Sequence, residues 1–164
     1  MGKHRIDVRS TLPFIGRNLD IGLLRRCIRT ALDAEGADRP CEVSVLITDD
    51  AGIRALNKEF RDKDASTDVL SFPMQVLSPG RFAPDLSETN RDTGCLPLGD
   101  IVLSAERIAA QAAQYGQNVN REMVYLAIHS VLHLLGYDHL DEGVEKHRMR
   151  RREKAILHMM GLSE

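Results

Sequence analysis

The sequence predicts a single domain of the α+β class. Strand-like and helix-like segments alternate through the first part of the chain, and the remainder is helical, an order typical of this class. The chain has 164 residues, which is the usual size of one domain and enough to bury a hydrophobic core without disulfide bonds. We therefore predict one domain over residues 1–164.

Four segments are predicted to be strands, from alternating apolar positions or from β-branched residues. The clearest is CEVSVLIT at 41–48, and the others lie at 5–9, 67–72 and 100–103. Pro73 follows the third segment directly and is expected to close it.

Five segments are predicted to be helices, from the spacing of their apolar residues and from capping residues at their ends. They cover 20–35, 50–60, 104–116, 120–136 and 141–160. The fourth, which Asn120 could cap, is apolar on nearly every side, and this indicates a helix buried in the core.

A long stretch without periodicity separates Phe72 from Leu98 and holds Pro73, Pro79, Pro84 and Pro97. Irregular segments of this length inside a domain are functional lids or insertions, and both interpretations stay open for residues 74–97.

The charge balance excludes a protein that coats nucleic acid through net charge alone. Lys and Arg number 22 against 24 Asp and Glu, a formal net charge of -2. If the protein binds nucleic acid, the positive charge that attracts the phosphates must therefore be local. Either the first 29 residues or the last helix could steer a phosphate backbone. An ordinary solvated face is an equal alternative for that helix, whose basic residues are Lys146, Arg148, Arg150, Arg151, Arg152 and Lys154.

The cysteines and the N-terminus predict a cytoplasmic protein. Three cysteines are scattered without a CxxC pair, so reduced thiols and no disulfide partner are expected. The N-terminal MGKHRIDVRS has no apolar core of a signal peptide, and no apolar run is long enough for a membrane span.

The strongest functional signal is HSVLHLLGYDH at 129–139. His129 and His133 are four residues apart, so both rings project from one face of a helix. Gly136 can end that helix and turn the chain so that His139 joins them. Three imidazoles fit zinc with a fourth position open, and we predict one divalent ion per chain on these residues. The other histidines lack this context and are predicted to lie on the solvated surface: His4, His147 and His158.

The same spacing of histidines and glycine occurs in metzincin proteases, which carry Glu directly after the first histidine as the general base. Ser130 stands at that position here, and a hydroxyl with an ordinary pKa cannot replace a carboxylate base. A metalloprotease is therefore kept only as an alternative.

Three blocks together resemble the YbeY family of metal-dependent, single-strand-specific endoribonucleases. They are LNKEFRDKDASTDVLSFP at 56–73, LGDIVLS at 98–104 and HSVLHLLGYDH at 129–139, in the family's order and spacing. The chain departs from the family at Ser130, where Gly is usual, and at Ser66, where Pro is usual.

The resemblance implies a mixed sheet of about four strands packed against helices, with a zincin-like site for zinc on His129, His133 and His139. It also implies action on single-stranded ribosomal RNA in maturation of the 16S rRNA 3′ end and in ribosome quality control, with the small ribosomal subunit as a partner. The family's functional arginine corresponds to Arg61, where a guanidinium suits the charge that develops on phosphate. Taken without the resemblance, Arg61 would be interpreted as a solvated surface residue.

The sequence leaves alternatives for three aspartates and for the function. Asp68 and Asp100 could accept a hydrogen bond from a ligand imidazole, or they could serve as strand ends or caps. Asp138 could orient a histidine or form a turn. A ribosome-assembly binding factor with a mainly structural metal is the alternative to the nuclease, beside the metalloprotease.

Overall fold

The computed structural model describes residues 4–13, 19–138 and 143–162. Four strands form one mixed sheet: β1 (Arg5–Ser10), β2 (Cys41–Thr48), β3 (Val69–Pro73) and β4 (Leu96–Ser104). Their order across the sheet is β1-β2-β4-β3, with β1, β2 and β4 parallel and β3 antiparallel to β4. The predicted α+β class with a mixed four-stranded sheet is confirmed.

Five helices accompany the sheet in these ranges: α1 (Ile21–Ala34), α2 (Asp50–Arg61), α3 (Ala105–Tyr115), α4 (Val119–Leu134) and α5 (Val144–Met159). Each matches a helix predicted from the sequence. Ser104 caps α3 and Gly116 ends it in the left-handed conformation, as the sequence indicates. The cap of α4 is Asn118, not Asn120, because the Asn118 side chain accepts a hydrogen bond from the Asn120 backbone N–H.

Strand β4 is longer than the predicted 100–103, because its first half contains Pro97, which the sequence places in the irregular stretch. Gly99 has a φ of +147°, and an added Cβ would lie 2.4 Å from the carbonyl oxygen of Phe72 on β3. Glycine therefore permits the close approach of the two strands at this point.

The main core lies between one face of the sheet and helices α1, α4 and α5. Helix α4 contributes ten buried residues along its length, in agreement with its apolar sequence. The opposite face is covered in part by α2, through a small cluster of Ile53, Leu70 and Val102. The two faces of the sheet therefore have different surroundings, and the histidine helix lies on the face of the main core.

His4 is buried, which corrects the prediction of a surface residue. Its Nδ1 accepts a hydrogen bond from the Cys41 backbone N–H at 3.0 Å, and its Nε2 lies 2.9 Å from Asp33 Oδ1. The ring joins β1 to α1 and β2, contacts that a charged N-terminal sequence does not reveal. His147 and His158 are exposed, as predicted.

The irregular segment after β3 packs against the end of the histidine helix. It contains a short 3₁₀ turn, Leu86–Glu88, and an isolated bridge between Ser78 and Arg81. A Cβ added to Gly136, just after α4, would lie 2.1 Å from the Leu77 carbonyl oxygen. The segment therefore borders the turn that follows the histidines.

In the ranges that the structure describes, no helix is both long and apolar enough to cross a bilayer. The three cysteines are buried free thiols: Cys27, Cys41 and Cys95.

Cys27 is expected to make stability fall in alkaline solution. Burial raises the pKa of its thiol from an ordinary 9.0 to about 12. The contribution of this protonated thiol is complete below the ordinary pKa and is lost as the pH rises toward the raised value. Cys27→Ala should therefore flatten the fall in the free energy of unfolding between about pH 9 and 11, measured by urea denaturation with reductant present. Equal slopes in the two proteins would contradict this assignment.

Candidate metal centre

His129 and His133 lie one turn apart on α4 with their rings in contact. The ring centroids are 4.6 Å apart and the ring planes meet at 82°. The two Nε2 atoms approach to 3.1 Å. The side chain of His129 is 21% exposed, so the pair projects from a buried helix toward an accessible surface.

Each imidazole is oriented through its Nδ1 atom. His129 Nδ1 lies 2.5 Å from Glu153 Oε2 on α5, and His133 Nδ1 lies 3.0 Å from the backbone carbonyl oxygen of Tyr137. A carbonyl oxygen can only accept, so His133 Nδ1 donates, and the Glu153 carboxylate favours the same tautomer of His129. In neutral rings of this tautomer each Nε2 atom carries a lone pair.

These contacts fit a divalent metal ion. Two Nε2 atoms at 3.1 Å can share a proton in a hydrogen bond, or both can direct their lone pairs at one cation. Imidazoles whose Nδ1–H is donated to a carboxylate or carbonyl are the usual form of metal-bound histidine. The third predicted ligand, His139, lies outside the described residues. Among those described, no three His, Cys, Asp or Glu side chains form a group that could hold a metal, so the zinc site stays a prediction.

A buried network holds the carbonyl that orients His133. The Tyr137 hydroxyl donates to Glu35 Oε1 on α1 at 2.5 Å, and Arg152 Nε on α5 donates to Glu35 Oε2 at 2.6 Å. Burial, reinforced by the Glu35 carboxylate, raises the pKa of Tyr137 to about 12, so the phenol stays protonated as a donor. The turn after α4 is thereby tied to α1 and α5.

Sequence reasoning missed Glu153. Its signal was available, because Glu153 lies on the same stripe of α5 as the buried Met149 and Ile156, where an acidic residue needs a partner. The Nδ1 atoms of His129 and His133 bond to Glu153 and to the Tyr137 carbonyl, so neither of the two aspartates considered as acceptors takes these two positions. Asp100 lines a cavity with Arg9 on the opposite face of the sheet, and burial raises the pKa of its carboxyl.

Ser130 serves the packing of α4 on the sheet. It is fully buried, and its hydroxyl is hydrogen-bonded to the hydroxyl of Ser71 on β3. The position at which metzincins carry their general base is therefore directed to the sheet here.

Arg61 is the last residue of α2 and is exposed. The loop after it begins with Asp62 in the left-handed conformation and is closed by a hydrogen bond from Asn57 Nδ2 to the Ala65 carbonyl. Within the described ranges, no hydrogen bond or ion pair joins the Arg61 side chain to the histidine pair. Its catalytic role stays a prediction.

A groove of about 820 Å³ opens beside the histidine pair, between α3, α4 and α5. Glu153 forms part of its lining, and so does Asp68, which precedes β3. Tyr125 also lines it, with its ring stacked on His129 at a centroid distance of 6.2 Å and 28° between the planes. The histidine pair is thus adjacent to a space that can admit a substrate.

The family model described as Endoribonuclease YbeY matches residues 17–161. The chain belongs to the YbeY family. A relative named Endoribonuclease YbeY from Desulfitobacterium hafniense (strain Y51) is 43% identical over 152 residues, which cover 93% of this chain and 92% of the relative. Another of that name, from Clostridium botulinum (strain Alaska E43 / Type E3), is 46% identical over 140 residues, 82% of this chain and 84% of the relative.

The YbeY fold has a counterpart among solved structures. The solution structure of TM1509 from Thermotoga maritima aligns with a TM-score of 0.57 and 21% identity, over 95% of this chain and 91% of that one. The likeness supports the fold described above.

The three YbeY-like blocks converge in space. The first supplies β3, the second supplies β4, and the two strands pair. Gly99 of the second block lies against Phe72 of the first and Leu134 of α4, and Ser71 of the first bonds to Ser130 of the third. The resemblance noted from the sequence is confirmed, and the blocks form one contiguous region around the base of the histidine helix.

Proposed function

We propose that this protein is a zinc-dependent endoribonuclease that cleaves single-stranded RNA, with one ion held by His129, His133 and His139. The observation that carries the proposal is the pair of Nε2 atoms at 3.1 Å, each on a ring anchored through Nδ1, in a chain of the YbeY family. Our proposed substrate is ribosomal RNA of the small subunit in the cytoplasm, in maturation of the 16S rRNA 3′ end and in ribosome quality control.

The residues of the site have distinct tasks in this proposal. A divalent ion held by these residues would supply Lewis-acid chemistry, polarising a phosphoryl oxygen and favouring deprotonation of the attacking oxygen. His129 and His133 bind through Nε2, while Glu153 and the Tyr137 carbonyl keep both rings in the binding tautomer. Arg61 is assigned to the negative charge that develops on the phosphate, which a guanidinium can contact through two parallel hydrogen bonds.

The proposal is tested by comparing substrates under one set of conditions. The purified protein is incubated with a single-stranded RNA, with the duplex of the same sequence, and with casein. We expect cleavage of the single strand and of nothing else. Casein hydrolysis would support the metalloprotease instead, and tight metal binding without any cleavage would support a binding factor with a structural metal.

Glu153→Gln is expected to weaken metal binding without unfolding the protein. Glutamine can still accept the hydrogen bond from His129 Nδ1 but removes the negative charge that makes the imidazole a stronger ligand. Mutation of a residue that accepts a hydrogen bond from a metal-bound histidine lowers the metal affinity about 10–100-fold. The measurement is competition for Zn²⁺ against a chelating indicator.

The matched control for this experiment is Glu145→Gln in the first turn of the same helix. It should bind Zn²⁺ with the affinity of the wild type. If Glu153→Gln also kept that affinity, Glu153 would have no part in orienting a ligand.

A further inference from the structure

We propose that the groove between α3, α4 and α5 holds the stretch of single-stranded RNA adjacent to the scissile phosphate. This inference rests on the proposed endoribonuclease function and extends it to a substrate-binding surface. The surface is formed by Tyr115, Arg121, Tyr125, Arg150 and Lys154, which all line the groove beside His129.

Two tyrosines provide faces on which bases can stack. Tyr125 is 36% exposed over the His129 ring, and Tyr115, at the end of α3, is 61% exposed. In the part of the chain that the structure describes, only one other aromatic side chain, Phe60, is similarly exposed. Stacking on neutral aromatic rings is a sequence-tolerant way to bind single strands.

Three positive side chains line the groove. Arg150 and Lys154 are exposed and four residues apart on α5, so they lie on one side of the helix. Neither is engaged in an ion pair within the described ranges. Arg121, on α4, adds a third cation, which is half-buried and donates to Gln117 Oε1 at 3.1 Å. Cations and aromatic faces in one groove suit the phosphates and bases of a single strand.

Two of the three carboxylates of the groove are more buried than its cations. Glu153 and Glu122 are 4% and 6% exposed, and each has a partner, His129 Nδ1 for the first and Gln111 Nε2 for the second. Asp68 is half-buried on the wall next to β3. Acidic and basic side chains are balanced in the lining, but the two exposed charges among them, Arg150 and Lys154, are positive.

The other cations of α5 have different tasks, which separates the groove from a generally basic helix. Arg148 donates to the Pro79 carbonyl at 2.9 Å, and Arg152 donates to Glu35 in the network behind His133. Arg151 is exposed but does not line the groove. Arg151 thus provides a matched control for Arg150, with the same charge and helix and an adjacent position.

The features of the groove favour a single strand over a duplex. Bases in a duplex are stacked on each other and hidden from protein rings, whereas unpaired bases can be splayed onto tyrosines. Two lining residues, Tyr125 and Glu153, contact His129, so a strand lying in the groove would pass close to the proposed metal ligands.

The test is binding of a fluorescein-labelled single-stranded RNA, followed by anisotropy on ice, with the integrity of the probe checked on a gel. Arg150→Ala and Lys154→Ala should each weaken binding about fivefold at 0.1 M salt and reduce the salt slope by about 0.7. Tyr115→Ala should weaken binding by about fivefold or more. Arg151→Ala should stay within about twofold of the wild type with an unchanged slope.

Cleavage kinetics provide the second readout. The three groove variants should raise KM with little change in kcat, because their contacts are made equally before and during the reaction. If the wild type cleaves RNA but these variants bind as it does, or if Arg151→Ala loses as much affinity, the groove assignment is wrong and the endoribonuclease stands. If the wild type neither binds nor cleaves single-stranded RNA, both proposals fail.

Discussion

His133→Ala is expected to lose its divalent metal and its RNA cleavage together. The side chain supplies one of the two Nε2 atoms that meet at 3.1 Å, and its Nδ1 is already committed to the Tyr137 carbonyl. Elemental analysis should give about one ion per chain in the wild type and far less in the variant. The melting temperature should also fall, since metal binding is linked to folding.

The control for this variant is His147→Ala, which removes an exposed histidine from α5. It should keep both the metal and the cleavage rate. Circular dichroism establishes that His133→Ala is folded before its metal content is compared. Equal metal content in folded His133→Ala and wild type would remove His133 from the site.

Arg61→Ala is expected to slow RNA cleavage by about 10²–10³ while the metal content stays unchanged, because a charge-stabilising donor is lost from the transition state. The melting temperature should barely change, since Arg61 is exposed at the end of α2 and its side chain makes no ion pair or hydrogen bond with other described residues. Arg61→Lys should recover only part of the rate, because lysine lacks the planar fork.

Lys58→Ala provides the comparison for Arg61, since Lys58 is exposed on the same helix three residues earlier. Its cleavage rate should match that of the wild type. Wild-type cleavage by Arg61→Ala would return Arg61 to the solvated surface and leave the metal ligands as the only catalytic groups assigned.

Local sequence patterns predicted most of the helices and strands of this fold, because apolar residues recur at a characteristic spacing in helices and in half-buried strands. The exceptions are positions where tertiary contacts override that pattern. Pro97 indicated an irregular segment, yet it lies inside β4, where it pairs with Glu42 of β2. His4 looked solvated, yet Asp33 and Cys41 provide it with buried partners from distant parts of the chain.

In the candidate site, too, local spacing predicted some contacts, and tertiary packing determines the others. The pairing of His129 with His133 was predictable, because a spacing of four residues on a helix determines it locally. Glu153 lies 24 residues later and meets His129 through the packing of α5 against α4, so its place on the buried stripe of α5 indicates a need for a partner but not which partner. The sequence also does not show which cations of α5 line the groove and which support the fold. That depends on where Glu35 of α1 and Pro79 lie, because they bind Arg152 and Arg148.

The most direct test of the account is removal and return of the metal. The protein is stripped with a strong chelator, shown by elemental analysis to be metal-free, and assayed on single-stranded RNA before and after one equivalent of Zn²⁺ is restored. We expect cleavage to disappear in the stripped protein and to return with the ion. Undiminished cleavage by the metal-free protein would contradict the central claim that the histidine pair holds a metal required for RNA cleavage.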